Sequence, residues 1–363
     1  MQRIFNYGSF LQAYGLKSIL EELGAQVAFV DYHPGECLVP SNGHGLTRKL
    51  KKAAEVFSGG APLLQKLRFL KYKKNYAANY YPYLGIGAQM NYTPELDLLV
   101  VGSDEVFNCV QNNTNVGFSP ELFGQGHRAR RLVSYAASCG NTTLQKLEEY
   151  GVKETVAGWL SDFDALSVRD ANTGAVTGVL TGKEPLYHLD PVLAYDFVAK
   201  CKQIPKTVPE KDYMILYGYS GRFSPEECRA IRAFADARGW KIFCIGGVQD
   251  CCDRFIDCSP FEVIAYFQNA RAVVTDTFHG TILSVITHRD FAALVRTAGY
   301  GNAEKLTDLL NRLGLENRRI GDMTELGALL ENSVDYTATD AVIRTERERT
   351  YAYLKQQLDC AKA

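Results

Sequence analysis

From residue 96 onward the chain alternates short apolar runs with stretches of helical period, and that alternation constrains the fold more than any single residue does. LDLLVVG (96–102), RLVSYAASCG (131–140), ALSVRD (165–170) and EPLYHLDPVL (184–193) read as strands, with helical spacing over about 143–160. A second series follows. DYMILYGYSG, WKIFCIGG, RAVVTD and DFAALV read as strands, and SPEECRAIRAFADARG, SPFEVIAYFQNA, GTILSVITH and NAEKLTDLLNRLG as the helices between them. Ser224 and Ser259, each followed by proline, are expected N-caps. Strands that alternate with helices imply parallel sheets covered on both faces.

Residues 196–211 contain Pro205, Pro209 and several lysines without a period, and read as an interdomain linker. The expected organisation is an N-terminal Rossmann-like domain over 1–196 and a C-terminal one over 211–333. A helical segment over 334–363 completes it. Ahead of the first apolar run, helical spacing ends at Gly24 with Ser9 as a candidate cap, and QVAFVDYHP reads as a strand ended by Pro34. Residues 46–75 carry nine Lys/Arg against one acid, Glu55, and tyrosines follow at 72, 76, 80, 81 and 83. This basic, tyrosine-rich stretch (46–83) suggests either a solvated face or peripheral contact with an anionic membrane.

Bulk properties exclude several classes. A net charge of −1 argues against nucleic acid as the main partner. No apolar run has the length of a membrane span, and MQRIFNYGSF lacks a signal-peptide pattern, so a cytoplasmic location is expected, at the inner face of the plasma membrane if the basic stretch docks there. The ten cysteines show no C-x-x-C pair or zinc spacing, so reduced thiols and no metal are expected.

In open α/β sheets ligands bind beyond the carboxyl ends of the strands. The unusual polar residues fall there: Ser103 and Asp104 after LLVVG, Arg169 after ALSV, Asp276 and His279 after RAVV, and Arg296 after FAALV. A serine or aspartate in such a place is often only a helix cap. Arg169 is less easily dismissed, because a cation at a helix start is disfavoured by about 0.3–1 kcal/mol and needs an anion, from the protein or from a ligand. His279 is one of six histidines. It serves either as a structural hydrogen-bonding group or as an acid/base near neutral pH. Gly280 beside it would leave room for a ligand, and Asp276 would orient the ring or cap the following helix.

NYGSFLQAYGLKSIL (6–20), LLVVGSDEVFN (98–108), VSYAASCG (133–140), LSVRD (166–170), LDPVL (189–193) and VVTDTFHGTILSVI (273–286) occur together in this order. The set resembles the polysaccharide pyruvyl transferase family across nearly the whole chain. The resemblance implies two Rossmann-like domains facing a cleft, GT-B-like, with a C-terminal helix. It implies transfer of a pyruvyl group from phosphoenolpyruvate to a sugar, or to a lipid-linked sugar, as a cyclic ketal, with no cofactor beyond that donor. By the same resemblance His279 is the acid/base, Arg169 and Lys305 hold the phosphoenolpyruvate anion, and Asn6, Tyr7, Ser103 and Asp104 help hold the acceptor.

Two departures stand out. Family members begin with a complete first strand, whereas only MQRIF precedes Asn6 here, and the common GSDQVWN is GSDEVFN, which puts Glu105 at the cleft. Two other readings remain compatible with the residues: a GT-B-like glycosyltransferase using a nucleotide sugar, and a catalytically silent sugar-binding relative.

Overall fold

The computed structural model describes residues 1–39, 60–296 and 303–362. In the first half, β1 (Glu95–Gly102) and β2 (Arg128–Tyr135) pair in parallel. Bridges from Val133 to Ala165 and from Ala137 to Val168 extend this pair to β3 (Ser167–Val168), which pairs in parallel with β4 (Leu186–Tyr187). The second half holds β5 (Tyr213–Tyr217), β6 (Lys241–Ile245), β7 (Arg254–Phe255), β8 (Val273–Thr275), β9 (Phe291–Leu294) and β10 (Arg319–Ile320). These form one parallel sheet in the order β10-β9-β8-β5-β6-β7, the doubly wound Rossmann order read from its far edge. Strand order reverses between β5 and β8, so the topological switch point lies at the carboxyl end of β8, just before His279.

Local chemistry explains these elements. β5 is YMILY with every residue buried, as a central strand covered on both faces requires. Ser224 and Ser259 each close a reciprocal capping box, with Glu227 and Glu262 returning the bond to the cap backbone. The first helix, Tyr7–Glu22, is capped by Asn6, whose side-chain oxygen accepts from the Gly8 amide at 2.7 Å, and not by Ser9. Ser9 lies one turn too late to cap and sends its hydroxyl to Asp104 instead.

QVAFVDYHP is not a strand. Residues 25–37 run without a ladder partner. A cavity of about 950 Å³ separates them from β1, lined by Leu16, Leu20, Val27, Phe29, Leu99 and Val101 among others. An apolar, β-prone run becomes a strand only when a neighbour accepts its backbone bonds, and β1 pairs with β2 alone.

The tyrosine-rich stretch also departs from the surface reading. The helix Leu63–Tyr80 turns Phe69, Tyr72 and Tyr76 inward, where they pack edge-on against Phe5 and Phe255, and Tyr81 is buried just beyond it. Aromatic area of this size is most favourable out of water. Gln65 accepts from the Phe255 amide at 2.9 Å, which covers the open edge of β7. Residues 46–59 of the basic stretch lie outside the described residues.

The Tyr7–Glu22 and Leu63–Tyr80 helices share one continuous apolar core with the C-terminal sheet, whereas β1, β2 and the helices after them enclose a smaller core around Phe107, Phe123 and Phe163. The final helix, Thr337–Lys362, crosses back to the first half, where Tyr353 donates to the Ser134 carbonyl at 2.8 Å. No described helix is long and apolar enough to cross a membrane.

Candidate functional site

Four strand ends meet between the two halves. β1 delivers Ser103 and Asp104, β3 delivers Arg169, β4 delivers Asp190, and β8 delivers His279. His279 lies in the first turn of the helix Phe278–Ile286, whose cap is Thr277, with the threonine hydroxyl accepting from the Gly280 amide at 3.0 Å. The imidazole crosses to the first half and lies against Gly8. A Cβ at Gly8 would stand 2.2 Å from His279 Nδ1, so only glycine in the NYG motif admits the ring.

Asp190 is the hub. Its Oδ2 lies 3.7 Å from His279 Nε2 and accepts from Arg169 Nη1 at 2.7 Å, and Gln12 Nε2 donates to the same oxygen. Its Oδ1 accepts from the Val192 amide at 3.0 Å. Burial pushes this carboxyl up, but His279, Arg169 and the Val192 amide outweigh it and hold it at about 2.

Arg169 is enclosed on all sides. Its Nη1 reaches Ser103 Oγ at 3.4 Å, its Nη2 stands 3.7 Å from Asp104, and its guanidinium carbon lies 4.7 Å from the Phe278 ring centroid. The anion that a cation at this position demands is thus present in the protein, as Asp190 and Asp104. Burial lowers the Arg169 pKa, but the two carboxylates more than restore it. Asp104 in turn accepts from Ser9 Oγ at 2.9 Å. Burial pushes Asp104 up, and Arg169 and His279 bring it below the usual carboxylate range. Among the described residues, three buried polar atoms here have no hydrogen-bond partner: His279 Nε2, Arg169 Nε and Gln12 Oε1. Unmet buried polar atoms are costly in a core and are expected where a ligand binds.

The remaining expected residues divide. Asn6 reaches Tyr219 of the second half through Nδ2 at 2.9 Å, and Ser103 donates to the Ala136 carbonyl at 2.7 Å, both at this junction. Lys305 pairs with Glu105, whose other oxygen accepts from Asn108 at 2.7 Å, so the lysine also bridges the halves. Tyr7 does not face the cleft. It is the first residue of its helix, and its ring turns into the aromatic core, where its hydroxyl donates to the Cys258 carbonyl at 2.9 Å.

Asp276 neither orients His279 nor caps the helix, because Thr277 takes the cap. Asp276 holds Arg222 at 2.6 Å and Arg296 at 2.8 Å. Arg296 is bound as well to Glu227 at 2.8 Å, which makes it part of a second-half ion cluster. Gly280 leaves room for a neighbouring side chain, since a Cβ there would meet Thr275 Oγ1 at 2.1 Å.

Gly8, Ser9, Gln12 and Asp190 belong to the site although strand-end reasoning did not select them. Ser9 and Gln12 stand three residues apart on one helix face, within the NYGSFLQ motif, and that spacing was the available signal. Asp190 lay in LDPVL, where a proline follows it and a capping role is the ordinary reading. Another histidine, His188, also follows a strand, but it is buried against Tyr353 and bonded to Ser167 Oγ at 2.8 Å. Burial pushes its imidazole down to about 4, so it stays neutral. Among the described residues no group of three or more His, Cys, Asp or Glu side chains could hold a metal ion.

The cluster therefore offers an imidazole, a guanidinium and two carboxylates in a junction largely closed to water. Such a set can hold an anion, move a proton, and stabilise positive charge that develops beside the carboxylates.

The sequence profile of the family described as polysaccharide pyruvyl transferase matches residues 6–296. No curated protein matches the chain significantly. Solved structures with a similar outline include an O-GlcNAc transferase mutant of Thermobaculum terrenum (12% identity, TM-score 0.40, 73% of this chain and 52% of that one). The chain thus spans about half of that protein. They also include a putative UDP-N-acetylglucosamine 2-epimerase from Listeria monocytogenes (12% identity, TM-score 0.41, 96% of both chains). A third is the glycotransferase of kitacinnamycin (11% identity, TM-score 0.42, 98% of this chain and 94% of that one). The chain's own parallel sheets, with strand ends meeting between the halves, make a GT-B-like α/β architecture.

Proposed function

Because the chain belongs to the polysaccharide pyruvyl transferase family, we propose that it transfers the pyruvyl group of phosphoenolpyruvate to a sugar of a polysaccharide or of its lipid-linked precursor. The product would be a pyruvate ketal bridging two hydroxyls. The observation that carries this reading is the convergence of His279, Arg169, Asp190 and Asp104 at one junction.

Each group has a task in that reaction. Arg169 grips the carboxylate or phosphate of the donor, using Nε, which has no protein partner. Lys305 supplies a second positive charge once it leaves Glu105. His279 delivers the proton that the methylene carbon of the enol needs. Cationic character then develops at C2, where the Asp104 and Asp190 carboxylates favour it electrostatically. One sugar hydroxyl adds to C2, a second displaces phosphate, and the hydroxyl protons pass to His279 and to the departing phosphate. The 3.7 Å separation of Asp190 and His279 is too long for a hydrogen bond. Across that gap Asp190 acts on the imidazole through its charge, which steadies the ring and leaves Nε2 open to the substrate. A cytoplasmic site of action follows from the donor, which is a cytoplasmic metabolite.

The test is phosphate release from phosphoenolpyruvate against a panel of lipid-linked and nucleotide-linked sugars, alongside thermal stabilisation by each ligand. Stabilisation by phosphoenolpyruvate and acceptor-dependent phosphate release are expected. Stabilisation by UDP- or GDP-sugars alone would replace this reading with glycosyl transfer.

A further inference from the structure

The Leu63–Tyr80 helix has two unlike faces. Its inner face carries Gln65, Phe69, Tyr72 and Tyr76, which are buried. At about 100° per residue, the opposite side presents Leu63, Leu64 and Leu67 in the first turns, then Lys71 and Lys74, with Arg68 at its flank. The three leucines are 61%, 59% and 50% exposed. Arg68, Lys71 and Lys74 are exposed too. No Asp or Glu occurs anywhere from residue 56 to residue 94. The helix start has no side-chain cap and no acidic residue in its first turn.

Single exposed leucines need no explanation, but three within five residues at one helix end form a patch. Solvation alone accounts for the cations and not for the leucines. Nucleic acid would use the cations and gain little from the leucines. A bilayer with anionic headgroups uses both, with apolar side chains entering the headgroup–acyl boundary and cations resting among the phosphates.

We propose that this face, Leu63, Leu64 and Leu67 with Arg68, Lys71 and Lys74, docks the protein on an anionic lipid bilayer. The buried tyrosines Tyr72 and Tyr76 differ from the surface aromatics expected from sequence, and their place at the interface is taken by the leucines. The inner face of the same helix packs on Phe5 and Tyr7, at the start of the helix that carries Gly8 beneath His279. Docking therefore brings the catalytic junction near the membrane, where a lipid-carried sugar would be presented. That consequence rests on the transferase reading, while docking itself does not.

The test is flotation of the full chain with phosphatidylglycerol-containing vesicles and with pure phosphatidylcholine vesicles. Two variants are compared with the parent, Leu63→Ser/Leu64→Ser/Leu67→Ser and Lys71→Glu/Lys74→Glu. The parent is expected to float with the anionic vesicles only, and each variant to bind at least roughly tenfold more weakly. All six side chains point outward, so the thermal midpoints should match, and the charge variant keeps the test valid if the leucine variant unfolds. Absence of parent binding, equal binding to both vesicle types, or parent-like binding by both variants would overturn the proposal and leave the face to solvent or a protein partner. Phosphate release with a water-soluble acceptor should be the same for parent and variants. Its absence in all three would count against the transferase reading without altering the flotation result.

Discussion

Asp190 and Asp276 are both fully enclosed aspartates beyond strand ends, and both pair with arginine, yet they sit in opposite kinds of site. Asp276 binds Arg222 and Arg296, and Arg296 continues to Glu227, all described residues of the second half of the chain. Asp190 is shared between halves: Arg169 and Gln12 approach from the first, His279 from the second. Around Asp190, Arg169 Nε, His279 Nε2 and Gln12 Oε1 still have no protein partner. A network built from one half of the chain stabilises that half. A network assembled across the junction, from an imidazole of one half and a guanidinium and carboxylates of the other, is suited to a ligand.

The largest expected effect is at His279. His279→Ala should lower turnover by roughly 10²–10⁴ and leave the thermal midpoint close to the parent's, as steady-state kinetics and melting together would show. Unchanged turnover would dissolve the contrast between the two clusters.

Next comes Asp276→Asn, which leaves two arginines short of their shared carboxylate. Breaking a buried pair costs about 3–5 kcal/mol, so urea unfolding should show a large loss of stability with KM for phosphoenolpyruvate unchanged in the folded fraction.

Acid titration separates the regions by pH. His188 is pushed from its usual 6.5 to about 4, so the unfolded chain takes up a proton between these values that the folded one refuses. Stability should fall by about 3 kcal/mol across that window. His188→Gln should flatten the slope there, read by unfolding at a series of pH values. Asp190 acts lower, between its usual 3.8 and about 2. Its contribution of about 2 kcal/mol is present above 3.8 and lost as pH falls toward 2.

The smallest effect is at Glu105. Glu105→Gln frees Lys305 from its carboxylate partner, and phosphoenolpyruvate should bind a few-fold tighter by calorimetry, with weaker affinity contradicting the anion-holding role given to Lys305.

Legibility followed locality. The strands of the C-terminal sheet and the caps at Ser224 and Ser259 could be read directly, because apolar runs and capping chemistry act over a few residues. QVAFVDYHP could not, since its apolar pattern says nothing about whether a partner strand lies alongside it. Placing Arg169 and His279 at strand ends was enough to predict proximity to a cleft. Their mutual partner Asp190 was hidden, because an aspartate before proline looks like a cap and in fact does cap the helix Pro191–Ala194 with its other oxygen. Asp276, next to His279 in sequence, was the misleading neighbour. Its carboxylate is drawn to two arginines that only the folded sheet brings near.

The contrast between the two aspartates is tested most sharply by phosphate release from phosphoenolpyruvate, in a single turnover with acceptor, by Asp190→Asn and Asp276→Asn at matched amounts of folded protein. A loss of roughly 10²-fold is expected for Asp190→Asn, in line with a disturbed acid/base, with turnover near the parent's for Asp276→Asn. Parent-like turnover in Asp190→Asn, with the loss appearing in Asp276→Asn instead, would contradict that contrast.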